Sequence, residues 1–415
     1  AADWFSFELD PIHKHHSGYV FAVNASGVQI DALIFDDSEY DGEWNGVWSS
    51  EVSIDNDGWN IEMMIPFSNL YYESGPNQTW GLYFSRYIKS LDETNSWVVI
   101  PRYLNSESSK YGHMTNLSLD KNNFNIDFKP YFSSGLNYTN NIYLQEEYTT
   151  QSDSSFKNII LKDDRIEAGL DFKFKLFDKT FISTTINPDY GQIELDPEEV
   201  NLTAYETFYP EKRQFFLENS GFFDLPVKLF YSRRIGQSSD ILWASKIINQ
   251  NDNISWASIM AQEENQFTNI SRLERNFLYG NSFLGLTSIL SNKETVVDTS
   301  FISNYSLDGV FNYFNNKFLL DGQLISSNKN YKDTSGNISN ESGLGISIES
   351  SYATTYLKSF FDFEYFDKNL DLNDIGYLYR NDIKKIKYGL IFRNLEPSNI
   401  IRSKSLTIAH HYQQN

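Results

Sequence analysis

From about Asn122 to the C-terminus, apolar residues fall at every second position in short runs. Phe124, Ile126 and Phe128 alternate with Asn125, Asp127 and Lys129; Phe172, Phe174 and Leu176 with Asp171, Lys173 and Lys175; Leu344, Ile346 and Ile348 with Gly345, Ser347 and Glu349. A period of two is that of a strand with one apolar and one wet face. Such segments, close to the ~10 residues that cross a bilayer at a tilt, are joined by polar turns such as Asn315-Asn316 and Leu278-Tyr279-Gly280-Asn281. The pattern predicts antiparallel strands with almost no helix. It fits a transmembrane barrel and also a soluble sandwich or propeller, although no propeller repeat of fixed period is present.

Residues 1–121 have a different texture. Strands are predicted at Trp4–Leu9, Tyr19–Asn24, Gln29–Phe35, Trp48–Ile54, Trp59–Ile65, Trp80–Tyr87 and Ser96–Ile100, separated by turn signals such as Asn24-Ala25-Ser26-Gly27 and Asp55-Asn56-Asp57-Gly58. Short strands at this spacing indicate a β-sandwich. The expected architecture is therefore all-β, with a sandwich over 1–121, a barrel over 122–415, and an insert at 187–236 interrupting the barrel.

That insert holds Pro188, Pro197, Pro210 and Pro226, which exclude a regular central strand. It also holds Tyr205, Phe208, Tyr209, Phe215, Phe216, Phe222 and Phe223, too many aromatics for a disordered linker. Its charges Glu211, Lys212, Arg213, Arg233 and Arg234, with Glu206 and Glu218, need partners, because lipid does not accept them. The insert is expected to fold inward as a partial plug. Its charges either anchor it or line the path of a solute.

The runs NPDYGQIELDPEEVNL, YETFYPEKRQFFLE and LFYSRRIG, in that order, resemble the signature of a bacterial outer-membrane barrel family, domain of unknown function 5916. LWASKI (Leu242–Ile247) and LNDIGYLYRND (Leu372–Asp382) resemble later signatures of the same family. GWNIEMMIPFSNL followed by WGLYFSRY resembles the closing half of a family 9-like carbohydrate-binding domain. The resemblance implies a barrel in the bacterial cell outer membrane and a periplasmic N-terminal domain. It also implies a glycan or oligosaccharide as partner beside outer-membrane lipid, or another envelope protein. Compared with the family, the sandwich is expected to lack its first strands and the barrel its last.

Composition narrows the partners. Hydrophobic residues make up 40% and aromatics 16%, with a mean hydropathy of −0.46. No apolar run is long enough for a spanning helix, a test that says nothing of barrel strands. A formal net charge of −21 argues against nucleic acid, whose phosphates call for a basic surface. The absence of cysteine excludes disulfides and thiolate chemistry.

Sugars bind where aromatic faces meet polar groups that fix their hydroxyls. Trp44, Trp48 and Trp97, beside Glu51 and Arg86, are the candidates, with Trp44 and Trp48 in or next to the loop DGEWNGVW. Trp59 and Trp80 sit within strand patterns and are expected in the core; Trp44 is open to either reading. Asp37, Glu39 and Asp41 place carboxylates at alternate positions, which makes Ca2+ possible. They do not form a helix–loop–helix calcium motif, because the twelfth position from Asp37 is Trp48; the alternative is a solvated acidic loop. His13 and His15 could share a metal, but no third ligand accompanies them, and His113, His410 and His411 read as isolated. No catalytic constellation is visible. If the chain is an enzyme, O-glycosyl hydrolase is the class the resemblance implies. Three functions stay open: polysaccharide recognition or uptake, a glycan-acting hydrolase component, or a structural and assembly role in the outer membrane.

Overall fold

The computed structural model describes residues 2–13, 15, 17–35, 39–42, 44, 46–70, 72, 75–101, 107–119, 126–145, 155–176, 180–188, 205–251, 253–277, 282–294, 298–333, 337–395, 401 and 403–414. The N-terminal strands are β1 (Trp4–Asp10), β2 (Gly18–Asn24), β3 (Gln29–Phe35), β4 (Glu39–Asp41), β5 (Ser49–Ile54), β6 (Trp59–Met64), β7 (Gly75–Ile88), β8 (Glu93–Ser96) and β9 (Gly112–Leu119). Seven of them form one sheet in the order β4-β3-β2-β1-β7-β8, with β9 also on β7, and β5 and β6 form a separate hairpin. The hairpin turns where Asp55 Oδ1 accepts the N–H groups of Asp57 and Gly58, with Gly58 at φ +152°.

The first sheet is buried on both faces. One carries Phe7, Leu9, Tyr19, Phe21 and Trp80 against Trp44, Leu70 and Tyr72; the other carries Val20, Ala32, Ile34 and Tyr111. Three strands depart from the sequence expectation: β4, β8 and β9. Ser96–Ile100 is not a strand: β8 runs Glu93–Ser96 instead, and the ladder ends where the Trp97 N–H donates to Phe84 O at 3.0 Å. β8 reads ETNS and is wholly exposed, so alternation could not reveal it. β9 escaped because Asn116, at φ 61°, interrupts the period, and the pairing with β7 shifts register there.

Glu8 on β1 is 5% exposed and accepts hydrogen bonds from the Tyr111 and Ser6 hydroxyls. Burial pushes its carboxyl up from 4.5 to about 7, against those hydrogen bonds and with help from nearby Glu107. A pKa raised by folding favours the protonated native state. Its contribution is full below the unfolded value and lost as pH rises through about 7. Glu8→Gln should therefore stabilise the N-terminal sheet above pH 7, by roughly 3 kcal/mol, and leave it unchanged below pH 4. Thermal unfolding followed by near-UV circular dichroism across that range checks this.

The remaining strands form one thirteen-stranded sheet. They are β10 (Ile126–Gln145), β11 (Ser155–Leu176), β12 (Thr180–Ile186), β13 (Ile241–Asn249), β14 (Ile254–Glu263), β15 (Gln266–Phe277), β16 (Ser282–Glu294), β17 (Asp298–Tyr313), β18 (Phe318–Asp333), β19 (Ile338–Ala353), β20 (Leu357–Phe366), β21 (Ile383–Asn394) and β22 (Lys404–Gln414). Each pairs antiparallel with its sequence neighbours. Among the described residues the one α-helix, α1, is the single turn Gln214–Leu217. The all-β expectation holds.

The two faces of this sheet are reversed relative to a soluble protein. Register aligns Trp256, Leu273, Leu286, Leu307, Leu324, Ile346 and Tyr365 in one row across β14–β20. The four leucines of that row are each 48–52% exposed. The covered face instead buries Lys246, Thr268, Arg272, Glu274, Thr287, Asn304, Asp308 and Gln323. It also carries an apolar patch, including Ile259, Ile270, Ile289 and Ile325, which packs against two segments outside the sheet.

Candidate functional site

The first of these segments is the insert, described from Tyr205 to Gly236. Its prolines and lack of alternation keep it out of the ladder, and its apolar side chains need cover. Phe216, Phe223, Leu225, Leu229 and Ile235 find it on the covered face of the sheet. The second segment lies between β20 and β21 and contributes Leu370, Leu372, Ile375 and Leu378 to the same cluster. The two are joined by Tyr231 N–H to Ile375 O and Tyr377 N–H to Lys228 O, both at 2.8 Å. Gly376 permits this approach, since a Cβ there would lie 2.4 Å from Leu229 O.

Most of the insert's charged side chains are engaged. Arg213 chelates Glu211 through Nε (2.9 Å) and Nη2 (2.7 Å) and donates to Ile235 O and Ser232 O at 2.6 Å each. The Lys212 N–H donates to Glu211 Oε1. Arg233 Nε donates to Pro210 O at 3.0 Å, and Arg234 Nη2 bonds Glu206 at 2.6 Å. These bonds tie 206–213 to 232–235. Others tie the insert to the sheet. Lys173 on β11 pairs with Glu218, and Lys246 on β13 donates to Phe215 O and Glu218 O. Gln323 on β18 imitates a strand edge by exchanging both hydrogen bonds with the Val227 backbone. Glu263 at the end of β14 accepts the Gly236 N–H at 2.8 Å.

Sequence reasoning missed a further buried group on the covered face. Arg272 is bidentate to Asp308 at 2.7 Å and lies 3.7 Å from Glu274, with side chains 2–8% exposed. Gly285 on β16 leaves the room for it: a Cβ there would sit 2.6 Å from Arg272 Nη2 and 2.7 Å from Asp308 Oδ2. Arg272 and Glu274 at alternate positions of one strand were the available signal.

The tryptophans separate. Trp44 is 7% exposed, wedged edge-on against Tyr19 and Phe21, which places in the core a ring that the sequence left open to either reading. The loop that carries it turns its apolar body onto the sheet. Trp48 is half-buried on Phe21, with Nε1 donating to Asp31 at 3.0 Å. Trp97 is 50% exposed and stacks flat on Phe84 at 5.0 Å, with Phe5 beyond. Arg86, two residues along β7 on the same side, is exposed and 3.8 Å from Asp3. Trp48 rests on β2 and Trp97 on β7, with Phe7 of β1 between them, so the two rings do not share one subsite. Glu51 is exposed on the β5–β6 hairpin.

Of the acidic loop, Asp37 lies outside the described residues, and Glu39 and Asp41 are described only as backbone of β4. His113 is not isolated: its Nδ1 lies 2.9 Å from His13 Nε2, with the His15 ring 4.2 Å from that of His13. Pairing of β9 with β7 brings it there, a contact across a hundred residues that spacing cannot show. No group of three metal-ligating side chains is arranged to hold an ion among the described residues.

Fold and site together define a protein with a large antiparallel sheet, covered on one face by two segments, and an N-terminal β-unit. Residues 143–271 match the family described as domain of unknown function (DUF5916). No curated protein matches the sequence. Among solved structures the chain is similar to Pseudomonas aeruginosa OccK7 (OpdD), at 11% identity over 99% of this chain and 92% of that one, with a TM-score of 0.24. It is also similar to the P. putida toluene transporter TodX, at 10% identity over 99% and 87%, with a TM-score of 0.14. Both scores lie well below those of a shared fold.

Proposed function

We propose that this chain is an outer-membrane β-barrel protein whose N-terminal unit binds a glycan on the periplasmic side, in polysaccharide recognition or uptake. The observation that carries the membrane reading is the exposed apolar row from Trp256 to Tyr365, set against a covered face of buried charges. A continuous apolar surface of this kind marks contact with lipid or another protein. Alternation of an apolar outside with a polar inside is the pattern of a transmembrane barrel. The family match over 143–271 fits the same reading.

The glycan half is supported by Trp97. Its ring, stacked on Phe84 and half open, is a flat platform with Arg86 on the same side of the sheet. Of the three candidate rings it is the most exposed.

The full chain should float with liposomes in a density gradient and, in detergent, bind specific members of a glycan array. Trp97→Ala should lower that binding about tenfold or more, since a stacked ring contributes on the order of 1 kcal/mol beyond its buried area. Failure to float removes the membrane reading. Flotation without any glycan signal removes the glycan half and favours the assembly role.

A further inference from the structure

We infer a second subsite, for a carboxylated saccharide, at the seam between the N-terminal unit and the large sheet; it deepens the glycan reading above and rests on it. A cavity of ≈ 460 Å³ lies there, within the ~300–1,000 Å³ of small-molecule sites. Its N-terminal wall is aromatic. Phe67, 48% exposed on the short turn after β6, is backed by Tyr72 and Trp80 at ring distances of 5.3 and 5.8 Å. A ring held in this way offers a flat face to the C–H side of a sugar.

The opposite wall is cationic. Lys129 of β10 and Lys173 and Lys175 of β11 all face the cavity. Register places Lys129 opposite Asp171 and Lys173 opposite Asp127, so the lysines sit on one face of the paired strands. The acidic side chains of the lining are Asp127, 3.3 Å from Lys129, and Glu218, paired with Lys173. Three ammonium groups therefore meet two carboxylates. In a chain of formal net charge −21, a wall where lysines match the carboxylates even with Asp171, opposite Lys129, counted runs against the background. Lys175 Nζ sits 5.1 Å from the Tyr72 ring and 5.4 Å from the Phe181 ring and donates to Tyr72 O at 3.3 Å. It thus spans the seam and joins the cationic wall to the aromatic one. Stacking area on one side and ammonium groups on the other suit a sugar ring bearing a carboxylate, and suit a neutral sugar less well.

The test is calorimetry on the full chain in detergent, with oligogalacturonate, neutral galacto-oligosaccharide of equal length, and acetate as probes. The acidic oligosaccharide should bind at least tenfold more tightly than the neutral one and weaken with added salt, and acetate should not bind measurably. Lys175→Met, which keeps the stem packing, and the more exposed Lys129→Met should each lower acidic binding several-fold. Equal affinity for both oligosaccharides, or no effect of either lysine substitution, overturns the subsite. So does acetate binding as well as the sugar acid. If neutral glycans bind and only Trp97→Ala removes them, the seam subsite fails and the glycan reading stands. If no saccharide binds at all, both fail together.

Discussion

Replacing Arg213 with alanine is expected to destabilise the chain by about 3–5 kcal/mol, the penalty for stripping one partner from a buried ion pair. Both side chains of the pair are nearly enclosed, Arg213 at 11% exposed and Glu211 at 10%. Arg213 also closes two backbone carbonyls, at Ser232 and Ile235, which the variant leaves without that donor. Burial alone would raise the Glu211 carboxyl, but the hydrogen bonds and charge of Arg213 hold it below its ordinary value. A depressed pKa contributes stability above the unfolded value and loses it as pH falls through the folded one. The destabilisation should therefore be largest near neutrality and shrink in acid. Denaturant midpoints of Arg213→Ala, Glu211→Gln and the double variant, at neutral and acid pH, check this. A double variant no more stable than Arg213→Ala would show that the stranded carboxylate is not the cause.

Arg272→Met is expected to cost a similar ~3–5 kcal/mol for a different reason. It removes the cation that lies between Asp308 and Glu274, which flank Gly285 on neighbouring strands. Both carboxylates are buried, so their repulsion is poorly screened by solvent. Asp308→Asn in the Arg272→Met background should restore a good part of the loss, because one of the two like charges is then gone. The unfolding temperature of the detergent-solubilised chain reads both effects. Equal values for the single and double variants would remove the ion pair as the explanation.

The strands of the large sheet were legible because alternation is a local property, and each strand pairs with its neighbour in sequence. The insert was legible for a related reason: prolines, aromatics and charges within one stretch forbid strand, linker and lipid in turn. Leu372–Asp382 was visible only as a resemblance. Its burial beside the insert depends on where β20 and β21 deliver it, and Leu372 and Ile375 do not announce a partner 140 residues away. Trp44 stayed open for want of the same information. Whether a tryptophan in an acidic, glycine-bearing loop is exposed is decided only once its ring is seen against Tyr19 and Phe21. His113 and the Arg272 group are likewise products of pairing, set by strand register and not by spacing. β8 carries no apolar residue, so nothing in its composition marked it as a strand.

Gly285 has a consequence for how this sequence can diverge. The space it leaves is occupied by the contact of Arg272 with Asp308, and no side chain fits beside that contact without displacing it. A relative that carries even alanine at this position must have shifted or abandoned the ion pair. One that loses either charged partner frees the position to drift. Positions 272, 285 and 308 should therefore be inherited as a block, a covariation spread over three adjacent strands and visible in sequences alone.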